Sequence, residues 1–376
     1  MSSDLLLDKV KCGSASEIMM AVRYSTSPPG PTFIPSLDDV LLEYRPHDGN
    51  SSLRRGDLIE VVGPSGSGKT ALLIFLLMTT LLPAVLPPPL STVVLGGKGG
   101  YAQVFQPDTH RSIIMSLRRS IGAHIRSLAP QAKDDLIEDV IKDSLSRLSV
   151  WRGRPRWKDL ALGLKGIVVE LSSYSTRSEW RRPGALDLVA IDGFADGYYP
   201  QLWADEERGR KQPGGDGANT VVGPDAVGVR QVMEVIGQIR KDLGSVVAMS
   251  VQGLRTTRES QPFYLPHLPS PYPNPFSISK SGPISRSNNP TYWPLNIQIT
   301  LLGCARGLQL PGDITLIDAL RSRARERKEN GEEGQDDKYE GLVRLVNVDG
   351  GILGKREGAK FHFHIGENGL QVWNDP

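Results

Sequence analysis

Apolar positions along this chain follow two rhythms. Short, mostly apolar runs at 57–62, 186–192 and 245–251 predict strands buried on both faces, because apolar residues at successive positions leave such a strand no side to offer to water. Longer stretches repeat every three or four residues. Ile113, Ile114, Leu117 and Ile121 place an amphipathic helix over 109–125, and Leu160, Leu164, Val168 and Leu171 place another over 157–174. Further helices are expected at 134–145, where an acidic first turn suits the helix dipole, and at 225–243. Weaker strand signals lie at 93–95, 101–105, 148–151 and 292–302. Strands alternating with helices imply an α/β fold, a mostly parallel sheet with crossover helices on both faces. The segments 341–348, 360–365 and 370–373 resemble an antiparallel meander closing the sheet edge.

Where the rhythm fails, loops or tails are expected. Residues 1–50 hold a short helix at 14–22, a proline-rich loop and a helical piece at 37–43. With few apolar positions they read as a flexible N-terminal tail or linker suited to partner docking, ahead of one domain over 51–376. Within that domain, 205–224 and 254–294 are long irregular loops, and the charged stretch 316–337 is either helical or disordered. The glycine run 96–100 reads as a flexible turn beside a strand, since no helix opens directly after it.

Composition narrows this picture only slightly. The chain has 376 residues, 39% of them hydrophobic, enough to bury a sizeable core. A net charge of +2, from 44 basic and 42 acidic residues, announces no global field, so any nucleic-acid contact must come from local patches. Two cysteines, Cys12 and Cys304, make neither a disulfide framework nor a metal spacing and fit a reducing compartment. Residues 1–10 lack the apolar core of a secretory signal. The uncharged stretch 71–90 is long enough to span a bilayer, but Pro83 and Pro87 to Pro89 break it. Only 71–82 can be continuous helix, which predicts a buried central helix instead.

Candidate chemistry begins between the first strand and that apolar helix. Gly63, Pro64, Ser65, Gly66, Ser67, Gly68, Lys69 and Thr70 have the spacing of a phosphate-binding loop, in the strand–loop–helix context that such a loop needs. Glycines let backbone N–H groups turn inward around an anion, and the helix N-terminus adds its positive end. Lys69 is then expected on the β- and γ-phosphates of ATP, and the Thr70 hydroxyl on Mg²⁺. Asp192 ends the strand at 186–192, on the side of the sheet where ligands bind, and is the second expected Mg²⁺ ligand; Asp187 lies near the start of that strand and is not. Gln252 ends another strand, where its amide suits the γ-phosphate or attacking water. Asp108, the acid nearest after the strand at 101–105, is the candidate general base. Basic clusters at Arg152, Arg154, Arg156 and Lys158, at Arg177, Arg181 and Arg182, at Arg255 and Arg258, and over 321–328 offer contacts for a single-stranded backbone or, individually, solvated surface charge. The last also suits a nuclear import signal. His362 and His364 share a strand face without a third ligand and read as packing or surface residues.

Taken together, residues 55–70, 188–192, 246–252 and the ending 360–369 resemble the RecA superfamily, and within it the eukaryotic recombinase paralogues. The resemblance covers roughly residues 50 to 373 in element order. It implies a RecA-like P-loop core with an antiparallel C-terminal extension, and a nuclear ATP-binding protein of homologous recombination repair of double-strand breaks. Such a protein works in a heteromeric complex with other recombinase paralogues and contacts DNA, single-stranded or branched. By residue, it carries Lys69 and Thr70 to nucleotide and Mg²⁺, Asp192 to Mg²⁺, Gln252 to the polar position after its strand, and 254–294 to a DNA loop. Two other classes fit the motif: a P-loop small-molecule kinase or transferase, and a scaffold that works without nucleotide through 14–43 and the sheet edge.

Overall fold

The strand Leu58–Gly63 (β1) is buried at every position and lies in the middle of a ten-stranded sheet. The computed structural model describes residues 28–45, 51–172, 186–198, 224–255, 263–265, 268, 272, 296–304, 318, 321–322, 325, 337–346, 352–353, 359–366 and 368–371. The expected helix at 14–22, the loop at 205–223, most of 254–294 and most of 316–337 lie outside them.

In chain order the strands are β1, β2 (Tyr101–Pro107), β3 (Leu148–Gly153), β4 (Leu186–Ile191), β5 (Val246–Gln252), β6 (Leu254–Arg255), β7 (Tyr264–Leu265), β8 (Ile297–Cys304), β9 (Asp337–Val346), β10 (Ile352–Leu353), β11 (Ala359–Gly366) and β12 (Gly369–Gln371). The helices are α1 (Pro35–Tyr44), α2 (Lys69–Leu81), α3 (Ile113–Leu128), α4 (Asp134–Ser146), α5 (Trp157–Ser172) and α6 (Pro224–Gln238), the last prolonged by a π-helical turn over Ile239–Leu243. Six strands run parallel in the order β3-β2-β4-β5-β1-β8, and β9, β11 and β12 continue the sheet antiparallel. The expected α/β fold, mostly parallel with an antiparallel C-terminal meander, is therefore present. β6 and β7 form a separate small hairpin.

The period of two along the strands divides the core. In β4, Leu188 and Ala190 join one apolar cluster while Val189 and Ile191 join the other, so both faces must be covered. Apolar residues of α2, α3 and α4 cover the first face, and those of α5 and α6 the second. This division follows from handedness. The chain moves outward from β1 through β2 to β3, then returns through β4 to β5, and right-handed crossovers put outward and returning helices on opposite faces.

Every residue of α2 from Leu72 to Leu81 is buried, because the sheet, α3 and β12 surround it. That accounts for its lack of a polar side. No helix among the described residues is long and apolar enough to cross a membrane.

Three expectations change. The glycine run 96–100 is a fixed helix cap rather than a flexible turn: the amides of Lys98, Gly99 and Gly100 donate to the carbonyls of Thr79, Leu82 and Thr80, which the end of α2 leaves unpaired. A Cβ on Gly97 would lie 2.0 Å from the Leu82 carbonyl oxygen, so Gly97→Ala is expected to destabilise the fold by about 2 kcal/mol, read as a lower urea midpoint. The expected strand at 93–95 reduces to a single bridge between Val94 and Val85, since three residues between a proline turn and the cap cannot reach the sheet. Residues 28–45 of the expected tail belong to the core: Ile34, Leu37 and Leu41 are fully buried and α1 packs on β9 and β11. Asp38 fixes the entry to α1, accepting from the amides of Thr32 and Phe33 and from the hydroxyls of Thr32 and Ser52.

A polar ladder crosses the sheet from β1 through β8 to β9, where parallel pairing gives way to antiparallel. Register sets Glu60 of β1 opposite Gln298 of β8, and Gln298 opposite Arg344 of β9. Gln298 Nε2 donates to Glu60 Oε2 at 2.5 Å, and Arg344 Nε donates to Gln298 Oε1 at 3.0 Å. The Tyr272 hydroxyl donates to the other Glu60 oxygen, and the Arg344 guanidinium lies 3.8 Å over the Phe263 ring. Burial pushes the Glu60 carboxyl above the usual carboxylate range, against the hydrogen bonds from Gln298 and Tyr272 and the charge of Arg344. Burial likewise lowers Arg344 to about 10. Tyr272 and Phe263 belong to the segment after β5, so this ladder ties that segment to the strand that feeds the phosphate loop.

Candidate functional site

The loop from Gly63 to Gly68 joins β1 to α2 at the carboxyl edge of the parallel strands, where ligands bind in open α/β sheets. Gly68 precedes the helix with φ 90°, a left-handed conformation that costs glycine nothing. Its missing Cβ also makes room for Ile365 of β11, whose Cδ1 would lie 2.5 Å away from one. The C-terminal meander therefore braces the loop directly. Ser65 and Gly66 are exposed, Pro64 is half-buried, and Ser67 is buried against Gly63 with a hydroxyl that has no partner among the described residues.

Lys69, first residue of α2, folds over the loop. Its Nζ donates to the carbonyls of Gly63 at 3.0 Å and Pro64 at 2.6 Å, and reaches Gln252 Oε1 at 3.4 Å. Gln252 arrives there because β5 pairs with β1 in a register that sets it beside Gly63. Burial lowers the Lys69 pKa, against the neighbouring charges of Asp192 and Asp196.

Thr70 donates to Asp192 Oδ1 at 2.9 Å, and Ser250 of β5 donates to the same oxygen at 2.8 Å. Asp192 follows β4 and is only 3% exposed. Burial alone would raise its pKa, but the hydrogen bonds from His110, Ser250 and Thr70 outweigh that and hold it below the usual carboxylate range. His110 sits between two acids, Nδ1 3.1 Å from Asp192 Oδ2 and Nε2 2.7 Å from Asp196 Oδ2. A neutral imidazole has one N–H, so serving both carboxylates calls for the imidazolium. The Asp192 hydrogen bond is the main cause of the raised His110 pKa; burial raises that of Asp196 against the His110 charge.

Lys69, Thr70, Asp192 and Gln252 thus meet at one point of the sheet edge. Asp108 does not join them: it is exposed, and its carboxylate takes no part in the bonds linking His110, Asp192 and Asp196. Its backbone is held instead, the amide donating to Gly153 and the carbonyl accepting from Arg152 at 3.0 Å. His110, Asp196 and Ser250 are the additions. His110 lies three residues past the end of β2 and Asp196 five past the end of β4, close to strand carboxyl ends, the signal that could have marked them. Asp187, at the opposite end of β4, pairs with Arg55 at 3.0 Å, away from the loop. His362 and His364 lie half-buried on β11, opposite Glu340 and Lys338 in register.

The side chains present suit a magnesium nucleotide. Among the described residues no group of three or more His, Cys, Asp and Glu could hold a metal by itself. Mg²⁺ needs no such cage, since it binds through one or two protein oxygens together with phosphates and water. An ionised buried carboxylate 2.9 Å from a threonine hydroxyl, beside a loop with an unpartnered buried serine, supplies that donor set. No protein-family model matches this chain, and a search of curated proteins finds no match either.

Proposed function

We propose that this chain is a RecA-like P-loop protein that binds ATP with Mg²⁺ and serves homologous recombination repair in a nuclear heteromeric complex with other recombinase paralogues. The observation that carries this reading is the meeting of Lys69 and Thr70, from the phosphate loop, with Asp192 and Gln252, from the ends of β4 and β5. Thr70 and Asp192 would hold Mg²⁺, which neutralises phosphate charge when bound. Lys69 would exchange its loop carbonyls for phosphate oxygens, and the amides opening α2 would face the same anion.

Gln252 gives the site an outlet. It touches Lys69, and the segment that starts two residues later is pinned to Glu60 and Arg344 through Tyr272 and Phe263. A change at the nucleotide would therefore be felt in the segment that the family resemblance assigns to DNA. Hydrolysis is slow or absent in this reading, because Asp108 is exposed and His110 occupies the flank of Asp192. Affinity purification of the tagged protein from cells with damaged DNA tests the assignment. Recovery of recombinase paralogues, identified by mass spectrometry and reduced in Lys69→Ala, is the expected result. Recovery of none contradicts it.

A further inference from the structure

His110 is held at both its ring and its backbone. The ring lies between two carboxylates, Nδ1 3.1 Å from Asp192 Oδ2 and Nε2 2.7 Å from Asp196 Oδ2. The His110 amide donates to the Pro107 carbonyl at 3.1 Å, and Arg152 Nη2 donates to the His110 carbonyl at 2.6 Å and to that of Asp108 at 3.0 Å. The Asp108 amide donates in turn to the Gly153 carbonyl, so the turn that carries the ring is tied to the end of β3.

Room for the ring is made from the other side. Gly193 adopts a left-handed φ of 69°, and a Cβ there would lie 2.2 Å from Asp196 Oδ2 and 2.9 Å from His110 Cε1. The Gly193 amide donates to Ser250 Oγ at 2.8 Å, and that hydroxyl donates to Asp192 Oδ1. The turns after β2 and β4 and the end of β5 are thus built around one contact.

That contact stands where a cation could. Two carboxylates facing one space disfavour each other's charge, and a divalent cation answers such a pair. Mg²⁺ binds through one or two carboxylates while keeping several waters, so carboxylates that a ring can bridge can also be bridged by a hydrated ion. Here the ring fills the space and takes up Oδ2 of both acids, while Oδ1 of Asp192 is engaged by Thr70 and Ser250. Lys69, whose charge reaches both acids, spends its hydrogen bonds on the carbonyls of Gly63 and Pro64.

We propose that His110 is a built-in plug, which keeps the space between Asp192 and Asp196 closed to divalent cations until a nucleotide brings Mg²⁺ with its phosphates. Phosphate oxygens supply ligands that the plugged protein withholds, so metal enters with nucleotide and not ahead of it. The plug rests on the Mg²⁺–nucleotide reading for its purpose, while the closure itself can be measured without nucleotide.

Mn²⁺ titration of the nucleotide-free full chain, with the free ion followed by electron paramagnetic resonance, tests it. The wild type is compared with His110→Ala, with His110→Asn, whose side chain is too short to bridge the two acids, and with His110→Ala/Asp196→Asn. At least one of the single variants is expected to bind Mn²⁺ about tenfold more tightly than the wild type, and the added Asp196→Asn to cancel that gain. Equal Mn²⁺ affinity in the wild type and both single variants, or a gain that persists in the double variant, overturns the proposal. Titration of the wild type with ATP and Mg²⁺ separates the two readings. ATP binding without an Mn²⁺ gain in the variants leaves the nucleotide reading standing and removes the plug; an Mn²⁺ gain without ATP binding keeps the closure and removes the nucleotide reading.

Discussion

Arg344→Met is expected to destabilise the protein by about 3–5 kcal/mol near neutral pH, the cost of stranding one member of a buried charged network. Glu60 is fully buried, and Arg344 is the cation that opposes its desolvation through Gln298. Without that charge the folded-state pKa of Glu60, already raised above 4.5, rises further. The sign then follows. A carboxyl with a raised folded pKa gives stability that is complete below its unfolded value and is lost as pH climbs toward the folded one. The deficit of the variant should therefore be larger at a pH well above the usual carboxylate range than at one within it, growing by up to about 1.4 kcal/mol per pH unit. Urea unfolding of both proteins at the two pH values reads this directly. A deficit equal at both would mean that Glu60 is not the group left stranded.

Asp192→Asn is the second large effect. Asp192 Oδ1 accepts from Thr70 and Ser250, and Oδ2 faces His110, so an amide in its place must turn an N–H toward one of these partners. It also removes the one buried anion among the described residues that could face Mg²⁺ at this point. Nucleotide affinity in Mg²⁺ is expected to fall about 100-fold, equivalent to about 2.7 kcal/mol, and to lose its dependence on added Mg²⁺. Titration with and without EDTA measures both. An affinity that still rises with Mg²⁺ would move the metal elsewhere. Asp196→Asn is the comparison, since that residue touches His110 but neither Thr70 nor Ser250.

The parts of this molecule legible in the sequence are those whose cause is local. Buried parallel strands announce themselves as apolar runs, and β4 and β5 fall within a residue of the expected bounds. The phosphate loop is readable because its glycines, lysine and threonine are consecutive. Asp192 is readable because strand direction fixes which end faces a ligand. What escapes is pairing at a distance. Glu60 sits inside an apolar run, and its partners Gln298 and Arg344 come more than two hundred residues later, brought opposite it only by strand register. His110 lies 82 residues from Asp192 and meets it because β2 and β4 are adjacent in the sheet. The segment 28–45 is about as apolar as the chain as a whole, but the surface that covers Ile34, Leu37 and Leu41 comes from β9 and β11, roughly three hundred residues later, and nothing near them in the chain reveals it. In the same way Gly68 is more than a loop glycine, since Ile365 of the C-terminal meander occupies the space beside it.

The central claim is that Gly63 to Thr70 is a working nucleotide loop. Isothermal titration of ATP with Mg²⁺ into wild-type and Lys69→Ala protein tests it most directly. Saturable one-to-one binding by the wild type, weakened about 100-fold or more when Lys69 is removed, is the predicted result. Equal affinity in the two proteins, or no binding by the wild type, would contradict it.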